Sequence, residues 1–108
     1  MNKFHAKKTY YKGIQFDSKK EANYCRQLDI LKSASGNDKV LKYELQKRFD
    51  IIVNGKKIGF YKLDFKVWYP DRIEHIDIKG LKKGASYQLF RLKKKLVEAL
   101  FNIKIIEK

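Results

Sequence analysis

The fold is decided by residues 62–80, which read KLDFKVWYPDRIEHIDIKG. Pro70 and Asp71 are typical turn residues, and they separate two runs in which apolar and polar residues alternate. The first run, residues 57–69, is expected to place on one face Leu63, Phe65, Val67 and Tyr69, and on the other Asp64, Lys66 and Trp68. The second run, residues 72–79, is expected to place Ile76 and Ile78 opposite His75, Asp77 and Lys79. The turn makes the two strands neighbours, so Asp64 and Asp77 should approach each other.

A helix is predicted before these strands. Asp17 and Ser18 are good N-cap residues, and Ser18 with Glu21 forms the S-x-x-E capping box. Apolar residues then recur at helical spacing, at Tyr24, Cys25, Leu28 and Leu31. Residues 33–38, SASGND, predict a loop in which Gly36 ends the helix. The β-forming residues at 47–53 predict the first strand, which Asn54-Gly55 ends with a strong hairpin turn signal.

A second helix and a last strand complete the predicted fold. Residues 85–101 predict the helix, with a buried stripe of Ala85, Leu89, Leu92, Leu96, Ala99 and Leu100. Residues 103–106 predict a short fourth strand. The order is therefore α-β-β-β-α-β, an α/β fold whose helical crossover places the fourth strand parallel to the third. The chain length fits one domain over residues 16–108, after a basic arm over residues 1–15 that either contacts phosphates or frays.

The charge is the first functional indication. Lys and Arg total 26 against 12 Asp and Glu, so the net charge is +14. This excess is more than solubility requires and predicts a polyanionic partner, of which nucleic acid is the commonest. The candidate phosphate contacts are Arg91, Lys94 and Lys95 on the second helix and Lys82 and Lys83 in the loop before it. The alternatives are a solvated basic surface and an anionic lipid, but no basic helix carries a Trp- or Phe-rich face.

Composition argues against several other classes of protein. Disorder is not expected, because 44% of residues are hydrophobic and 14% are aromatic. Cys25 is the single cysteine, which excludes an intramolecular disulfide and a cysteine zinc cluster, and we expect it in the core. No apolar run resembles a signal peptide or approaches the ~20 residues of a membrane span. We therefore expect a cytoplasmic protein that binds no membrane.

Asp64 and Asp77 are the candidates for chemistry, because both interrupt apolar runs on inner strands. A carboxylate there is costly unless it is paired or holds a metal ion. Two facing carboxylates suit Mg²⁺, with Mn²⁺ expected to substitute, because Mg²⁺ prefers oxygen ligands and keeps several waters. Such an ion lowers the pKa of water and neutralises phosphate charge, and the Lys79 ammonium could orient that water or stabilise developing charge. The alternative is a pair of buried salt bridges, Asp77–Lys79 or Asp64–Lys66.

These residues resemble the PD-(D/E)-x-K nuclease superfamily, which has the restriction-endonuclease-like fold. Leu63-Asp64 stands at the PD position, with Leu in place of Pro, and Asp77-Ile78-Lys79 stands at D-x-K. The predicted element order is that of the family's core, a mixed central sheet flanked by helices. The segment Phe16-Asp17-Ser18-Lys19-Lys20-Glu21-Ala22 is similar to that of small phage- and prophage-encoded members, which are themselves similar to Holliday-junction resolvases and transposon-end nucleases.

The resemblance implies a metal-dependent DNA endonuclease whose catalytic residues are Asp64, Asp77, Lys79 and Glu21. The metal ligands that it implies are Asp64, Asp77, Glu21 and Ile78. Glu21 points inward with the apolar stripe of the first helix, although the capping box alone would also explain this position. Gln88 matches the polar residue that the family often has on the second helix, unless it is simply exposed.

Other polar residues have weaker claims to the site. His75 shares the face of Asp77 and either contacts substrate or is structural. Glu44 and Gln46 lie just before the predicted first strand and could support the site. Trp68 either stacks on a base or, as we favour, packs under the second helix.

The substrate is expected to be DNA recognised by its structure. The chain has no separate specificity domain, which favours junctions or other branched DNA, with duplex DNA as the alternative, in phage recombination or repair. Symmetrical cutting of two strands needs two active sites, so we expect a homodimer. The alternatives are a non-catalytic nucleic-acid-binding module with a nuclease-like fold and a subunit of a larger recombination or transposition complex.

Overall fold

The computed structural model describes residues 8–79 and 84–108, which form an α/β fold with a mixed sheet and two helices. The order of elements in chain sequence is β1 (Thr9–Tyr11), β2 (Ile14–Phe16), α1 (Lys19–Leu31), a short 3₁₀ helix (Gly36–Asp38), β3 (Lys42–Val53), β4 (Lys56–Trp68), β5 (Ile73–Asp77), α2 (Ala85–Phe101) and β6 (Ile105–Glu107). The α/β class is thus confirmed, and so are both helices. No helix among the described residues is long and apolar enough to cross a membrane.

The main sheet has four strands in the order β3-β4-β5-β6. The strands β3, β4 and β5 are antiparallel neighbours, whereas β6 pairs with β5 in parallel, His75 opposite Ile105 and Asp77 opposite Glu107. A parallel pair needs a crossover, and α2 supplies it. The predicted parallel fourth strand is confirmed, and β5 lies inside the sheet with a strand on each side.

A small hairpin, β1 with β2, occupies part of the segment that we predicted to be an arm. Lys12 and Gly13 both have positive φ, 54° and 78°, as a tight hairpin turn requires. The Tyr11 hydroxyl donates to Asp29 of α1 at 2.7 Å, as does that of Tyr43 from β3. Burial raises the pKa of Asp29, but these hydrogen bonds outweigh it and hold the pKa well below its usual range. Residues 9–16 are therefore regular structure tied to α1, which the sequence did not predict.

The first helix begins where the capping box places it. Ser18 is the N-cap, with φ −148°, and its hydroxyl accepts from the Glu21 N–H at 3.1 Å. The inward face buries Ala22, Cys25 and Leu28, which confirms the core position of Cys25. The prediction that Gly36 ends this helix is wrong: the helix ends at Leu31, and Gly36 begins the 3₁₀ helix.

Apolar residues pack in two clusters. One cluster lies with α1, and its buried members are Phe16, Ala22, Cys25, Leu28, Val40, Phe65, Val67, Ile76 and Ile78. The other lies with α2, and its buried members are Phe49, Ile51, Tyr61, Leu63, Val97 and Ile105. The strands are thus covered by apolar side chains in both clusters, which makes any charged group on them costly.

Strand β4 changes cluster where the acidic residue stands. Phe65 and Val67 pack in the α1 cluster, whereas Leu63 packs in the α2 cluster. Burial nevertheless alternates along β4 as predicted: Leu63, Phe65 and Val67 are buried, and Asp64 and Lys66 are only partly buried. On the neighbouring strand, Gln46 lies opposite Asp64 and has φ 55°, a left-handed conformation that is unusual within a strand.

The buried stripe predicted for α2 is also wrong. Leu89, Leu92 and Leu100 are 54%, 57% and 44% exposed, and Ala85 and Ala99 are exposed as well. Of the predicted stripe, Leu96 does pack against the α2 cluster, and the helix also places Phe90 and Val97 there. Apolar residues occupy two adjacent arcs of this helix, so helical spacing alone did not show which arc faces the sheet. One arc of leucines is left exposed.

Candidate active site

Asp64 and Asp77 meet where β4 and β5 stop pairing through their backbones. The backbone pairing of these strands reaches Phe65 opposite Ile76, and the next facing pair is Asp64 and Asp77. Here the Asp64 N–H donates to Asp77 Oδ1 at 3.1 Å, and the Ile78 N–H donates to Asp64 Oδ2 at 2.9 Å. Each carboxylate therefore occupies a hydrogen-bonding position of the facing strand, and the two acidic residues lie side by side as the sequence predicted.

The Asp77 carboxylate is buried with one oxygen unpaired. The residue is 2% exposed, and Oδ2 has no hydrogen-bond partner within residues 8–79 and 84–108. Burial raises the pKa of this carboxyl to about 6, although the Lys79 charge and the Asp64 N–H act in the opposite direction. An unpaired, buried carboxylate oxygen is unfavourable unless a proton or a cation satisfies it.

Asp64 is partly buried beside it. Burial raises the pKa of this carboxyl, while the Ile78 N–H, the Lys79 charge and a hydrogen bond with Gln46 oppose the rise. Gln46, whose backbone is left-handed, thus interacts with Asp64 through its side chain. One of the two residues that the sequence offered as supports of the site therefore lies against Asp64.

Glu21 faces the same region from the start of α1. It is 7% exposed, and the Ser18 hydroxyl donates to its Oε2 at 3.2 Å. The pKa of Glu21 is raised to about 7, mainly by burial and in addition by the charges of Asp64 and Asp17. The N-cap contact and the proximity to Asp64 coexist in one side chain, so α1 brings a third carboxylate toward the pair.

Lys79 lies close enough to act electrostatically on all three acids. Its charge lowers the pKa of Glu21, of Asp64 and of Asp77. Its ammonium lies 3.7 Å from the centroid of the Phe90 ring, and its carbonyl accepts from Lys20 at 2.8 Å.

The salt-bridge alternative does not describe this site. In the part of the chain that the structure describes, no ion pair joins Asp77 to Lys79 or Asp64 to Lys66. The Lys66 ammonium instead lies 4.9 Å from the Trp68 ring, and Lys42 lies 4.3 Å from the same ring. Trp68 is not a member of the α2 cluster, so the packing that we favoured for it is wrong.

Glu107 is a site residue that the sequence did not reveal. It pairs with Asp77 across the parallel strands, accepts from Lys94 at 3.0 Å and from the Tyr87 hydroxyl at 3.3 Å, and its charge raises the pKa of Asp77. The available signal was the position of this acid directly after Ile105 and Ile106, but the strand was predicted to end one residue too early.

The last residue of the chain also contacts the site through its backbone. The Lys108 N–H donates to the Asp77 carbonyl at 2.8 Å, and the Lys79 N–H donates to the Lys108 carbonyl at 3.1 Å. Asp77 is consequently held from β4 through its side chain and from the end of β6 through its main chain.

The predicted phosphate contacts fall in different environments. Gln88, Arg91 and Lys95 are exposed together on α2, where they line a pocket of about 240 Å³ with Leu92. Lys94 is instead paired with Glu107, and Lys82 and Lys83 lie outside the described residues.

The remaining candidates lie apart from the carboxylates. The ring centroids of His75 and Phe49 are 6.4 Å apart. The pKa of His75 is lowered, mainly by burial and to a smaller extent by the Lys66 charge. Glu44 is exposed and faces Lys66 in the β3–β4 register. Among residues 8–79 and 84–108, no three Asp, Glu, His or Cys side chains are grouped closely enough to enclose one metal ion.

The fold and site define an α/β protein in which one buried and one partly buried carboxylate meet where two inner strands stop pairing. The chain belongs to the family described as "Protein of unknown function (DUF1064)", which it matches over residues 1–106. No curated protein and no solved structure matches the chain.

Proposed function

We propose that this protein is a metal-dependent deoxyribonuclease that hydrolyses phosphodiester bonds. The observation that carries the proposal is the mutual pairing of Asp64 and Asp77, which leaves a buried Asp77 oxygen without a partner. In a chain of net charge +14, such a pair is costly for a protein that only binds polyanions, but it suits one that also needs a cation. The element order and the D-x-K spacing support membership of the PD-(D/E)-x-K superfamily.

The carboxylates fit a divalent cation that binds oxygen. Mg²⁺ is commonly held by one or two carboxylates together with substrate phosphates and water, so the absence of a three-acid cage is no obstacle. We assign Asp64 and Asp77 as ligands, with Glu21 from α1 and the main-chain carbonyl of Ile78 completing the set. Mn²⁺, which also prefers oxygen ligands, is expected to substitute. The ion would neutralise charge on the phosphate and lower the pKa of the attacking water.

The residues of this chain supply the other requirements of the reaction. Lys79 places a positive charge beside the acids, where it stabilises negative charge that develops on the phosphate. Glu107 holds Lys94 and Tyr87 of α2 and so fixes β6, the parallel neighbour of β5, against that helix. Gln46 orients Asp64 from the other side.

Arg91 and Lys95, with Lys82 and Lys83, are assigned to the DNA backbone. Contacts of this kind set affinity without reading sequence, which favours a substrate recognised by its branches or ends. A homodimer would present two sites to such a substrate, and the exposed leucines of α2 offer it an apolar surface. Phage recombination or repair, in the host cytoplasm, is the setting that the resemblance suggests.

A cleavage assay tests the proposal. Wild-type protein is incubated with four-way junctions, flaps and linear duplex in Mg²⁺, in Mn²⁺ and in EDTA. We expect cleavage with either metal and none in EDTA, with the junction or the flap as the preferred substrate. We expect Asp77→Asn and Lys79→Met to lower the cleavage rate by roughly 100-fold or more, because each removes a group that acts on the transition state.

Asp50→Asn is the matched control, since Asp50 is an exposed acid of β3 that forms ion pairs with the surface residues Arg48 and Lys57. Cleavage that survives EDTA or Asp77→Asn would contradict the mechanism. DNA binding without cleavage of any substrate would favour the non-catalytic binding module. Cleavage that appears only after a second protein is added would favour the subunit of a larger complex.

A further inference from the structure

A groove lies at the junction of β4 and α2. Its volume is about 290 Å³, and its apolar wall is formed by Phe60, Tyr61, Leu89 and Phe90. Phe90 connects it to the site, because the Lys79 ammonium lies 3.7 Å from the Phe90 ring centroid and the Tyr61 ring lies 6.0 Å from it. A ligand in the groove would therefore be separated from the Lys79 charge by a single aromatic ring.

The rim of the groove is positively charged. Lys62 and Lys93 line it, and the Phe60 ring carries the Arg48 guanidinium at 4.2 Å and the Lys93 ammonium at 5.6 Å. Phe60 is nevertheless 40% exposed, so part of its ring remains accessible. An apolar wall with cations at its edge is complementary to a flat, uncharged ring that carries an anionic group.

Ser86 adds a polar group to this apolar wall. The residue is exposed in the first turn of α2, so a ligand in the groove can reach its side chain. A serine hydroxyl both donates and accepts hydrogen bonds, so it can pair with the polar edge of a ligand. The groove thus combines an aromatic surface, a hydrogen-bonding group and cations, which are the features of a site for one nucleotide.

We propose that the groove binds an unpaired nucleotide of the DNA substrate, with its base against Phe60 and its phosphates near Lys62 and Lys93. This inference rests on the proposed function, since it takes the adjoining acids as the site of phosphodiester cleavage. It narrows the substrate to DNA with a single-stranded segment next to the cut, such as a flap or an open junction. A base inside a duplex is stacked on both faces and cannot enter the groove.

The test measures binding in EDTA, so that no cleavage is required. The probes are a flap substrate with 2-aminopurine at the first unpaired position and a fully paired duplex of the same length. We expect wild-type protein to bind the flap more tightly and to change the 2-aminopurine fluorescence. Phe60→Ala should weaken flap binding roughly tenfold while duplex affinity stays unchanged, because only the flap can stack a base on this ring.

Two further variants separate this role from a general loss of affinity. Ile58→Ala is the matched control, since Ile58 is 61% exposed on the same strand but does not line the groove; it should bind both probes as the wild type does. Ser86→Ala should weaken flap binding with little change in the melting temperature, because the hydroxyl that it removes lines the groove on an exposed residue.

Equal affinity of wild-type protein for flap and duplex would overturn the proposal, and so would equal losses in Phe60→Ala and Ile58→Ala. Failure of the nuclease proposal has a different signature. If the protein prefers the flap in EDTA but cleaves nothing in Mg²⁺, the nucleotide-binding groove is supported and the proposed nuclease activity is contradicted.

Discussion

Burial of the Asp77 carboxyl has a cost that depends on pH. Its pKa is about 6 in the folded chain against an ordinary 3.8, and that of Glu21 is about 7 against 4.5. Both acids hold protons more tightly when folded, so the folded state binds more protons than the unfolded state between those values. Stability that these two groups provide at low pH is consequently lost as pH rises through 6 and 7. For Asp77 the difference corresponds to about 3 kcal/mol.

Asp77→Asn removes this cost and should stabilise the metal-free protein, more at pH 8 than at pH 5. The expected rise in melting temperature at pH 8 is several degrees, measured by circular dichroism in EDTA. Comparing the variant with the wild type at each pH cancels contributions from His75 and Asp29, whose pKa values are lowered. Adding Mg²⁺ at pH 8 should raise the melting temperature of the wild type but not of Asp77→Asn. Equal melting temperatures of the two proteins at both pH values would contradict the unpaired burial of Asp77.

At the scale of residues, the sequence predicted the contact between the two acids but not the contributions of Glu107 and Gln46. The adjacency of Asp64 and Asp77 follows from strand alternation and one turn, both of which are local properties. The contribution of Glu107 depends on the register of β6 against β5, which is set by the packing of α2 across the sheet. The left-handed conformation of Gln46 likewise has no signal in its own residue type, since Gln is not among the residues that favour positive φ.

At the scale of elements, the N-cap of α1 affects both the stability of that helix and the position of Glu21 in the candidate site. Ser18 Oγ accepts from the Glu21 backbone and donates to the Glu21 carboxyl, so the same serine begins the helix and orients the acid. The hairpin β1–β2 and the hydroxyl of Tyr43 fix the other end of the helix through Asp29. The position of Glu21 next to Asp64 is therefore determined at both ends of α1.

Ser18→Ala should lower the free energy of unfolding by about 1 kcal/mol, because the cap satisfies an otherwise unpaired helix N–H. Urea denaturation measures this difference. Ser35→Ala is the matched control, since Ser35 precedes the 3₁₀ helix but makes no side-chain cap hydrogen bond. Similar losses in the two variants would show that the cap of α1 contributes nothing specific.

Elements also show where sequence reasoning failed. The bounds of α2 are as predicted, because the length of a periodic segment is a local property. Its orientation was predicted wrongly because Phe90 and Val97 compete with the leucines for the sheet, and only the shape of the facing strands decides between them. The hairpin went unpredicted because each strand has three residues, too few for alternation to be recognised.

At the scale of the whole molecule, positive charge and exposed leucines occupy the same helix. A contiguous apolar arc on a protein surface is typical of an interface. Arg91 and Lys95 flank this arc and repel a second copy, so the proposed homodimer should form most readily at moderate salt or on DNA, where those charges are screened or neutralised.

Leu92→Glu should convert such a dimer to a monomer, because the charge would be buried without a partner in the interface. Analytical ultracentrifugation in 0.3 M salt, roughly twice physiological ionic strength, measures the mass. Ile30→Glu is the control, as Ile30 is 66% exposed on α1 and should leave the mass unchanged. A wild-type protein that sediments as a monomer with and without DNA would refute the dimer.

The hydrogen bonds between Lys108 and the main chain of Asp77 and Lys79 have a consequence for synthesis. Chains emerge from the ribosome starting with the N-terminus, so β3, β4 and β5 are exposed well before β6. A nascent chain that lacks residues 105–108 has both acidic residues but not the strand that holds β5 in place. The assembled pair of carboxylates, and the cleavage that we propose for it, must therefore wait until β6 has been translated.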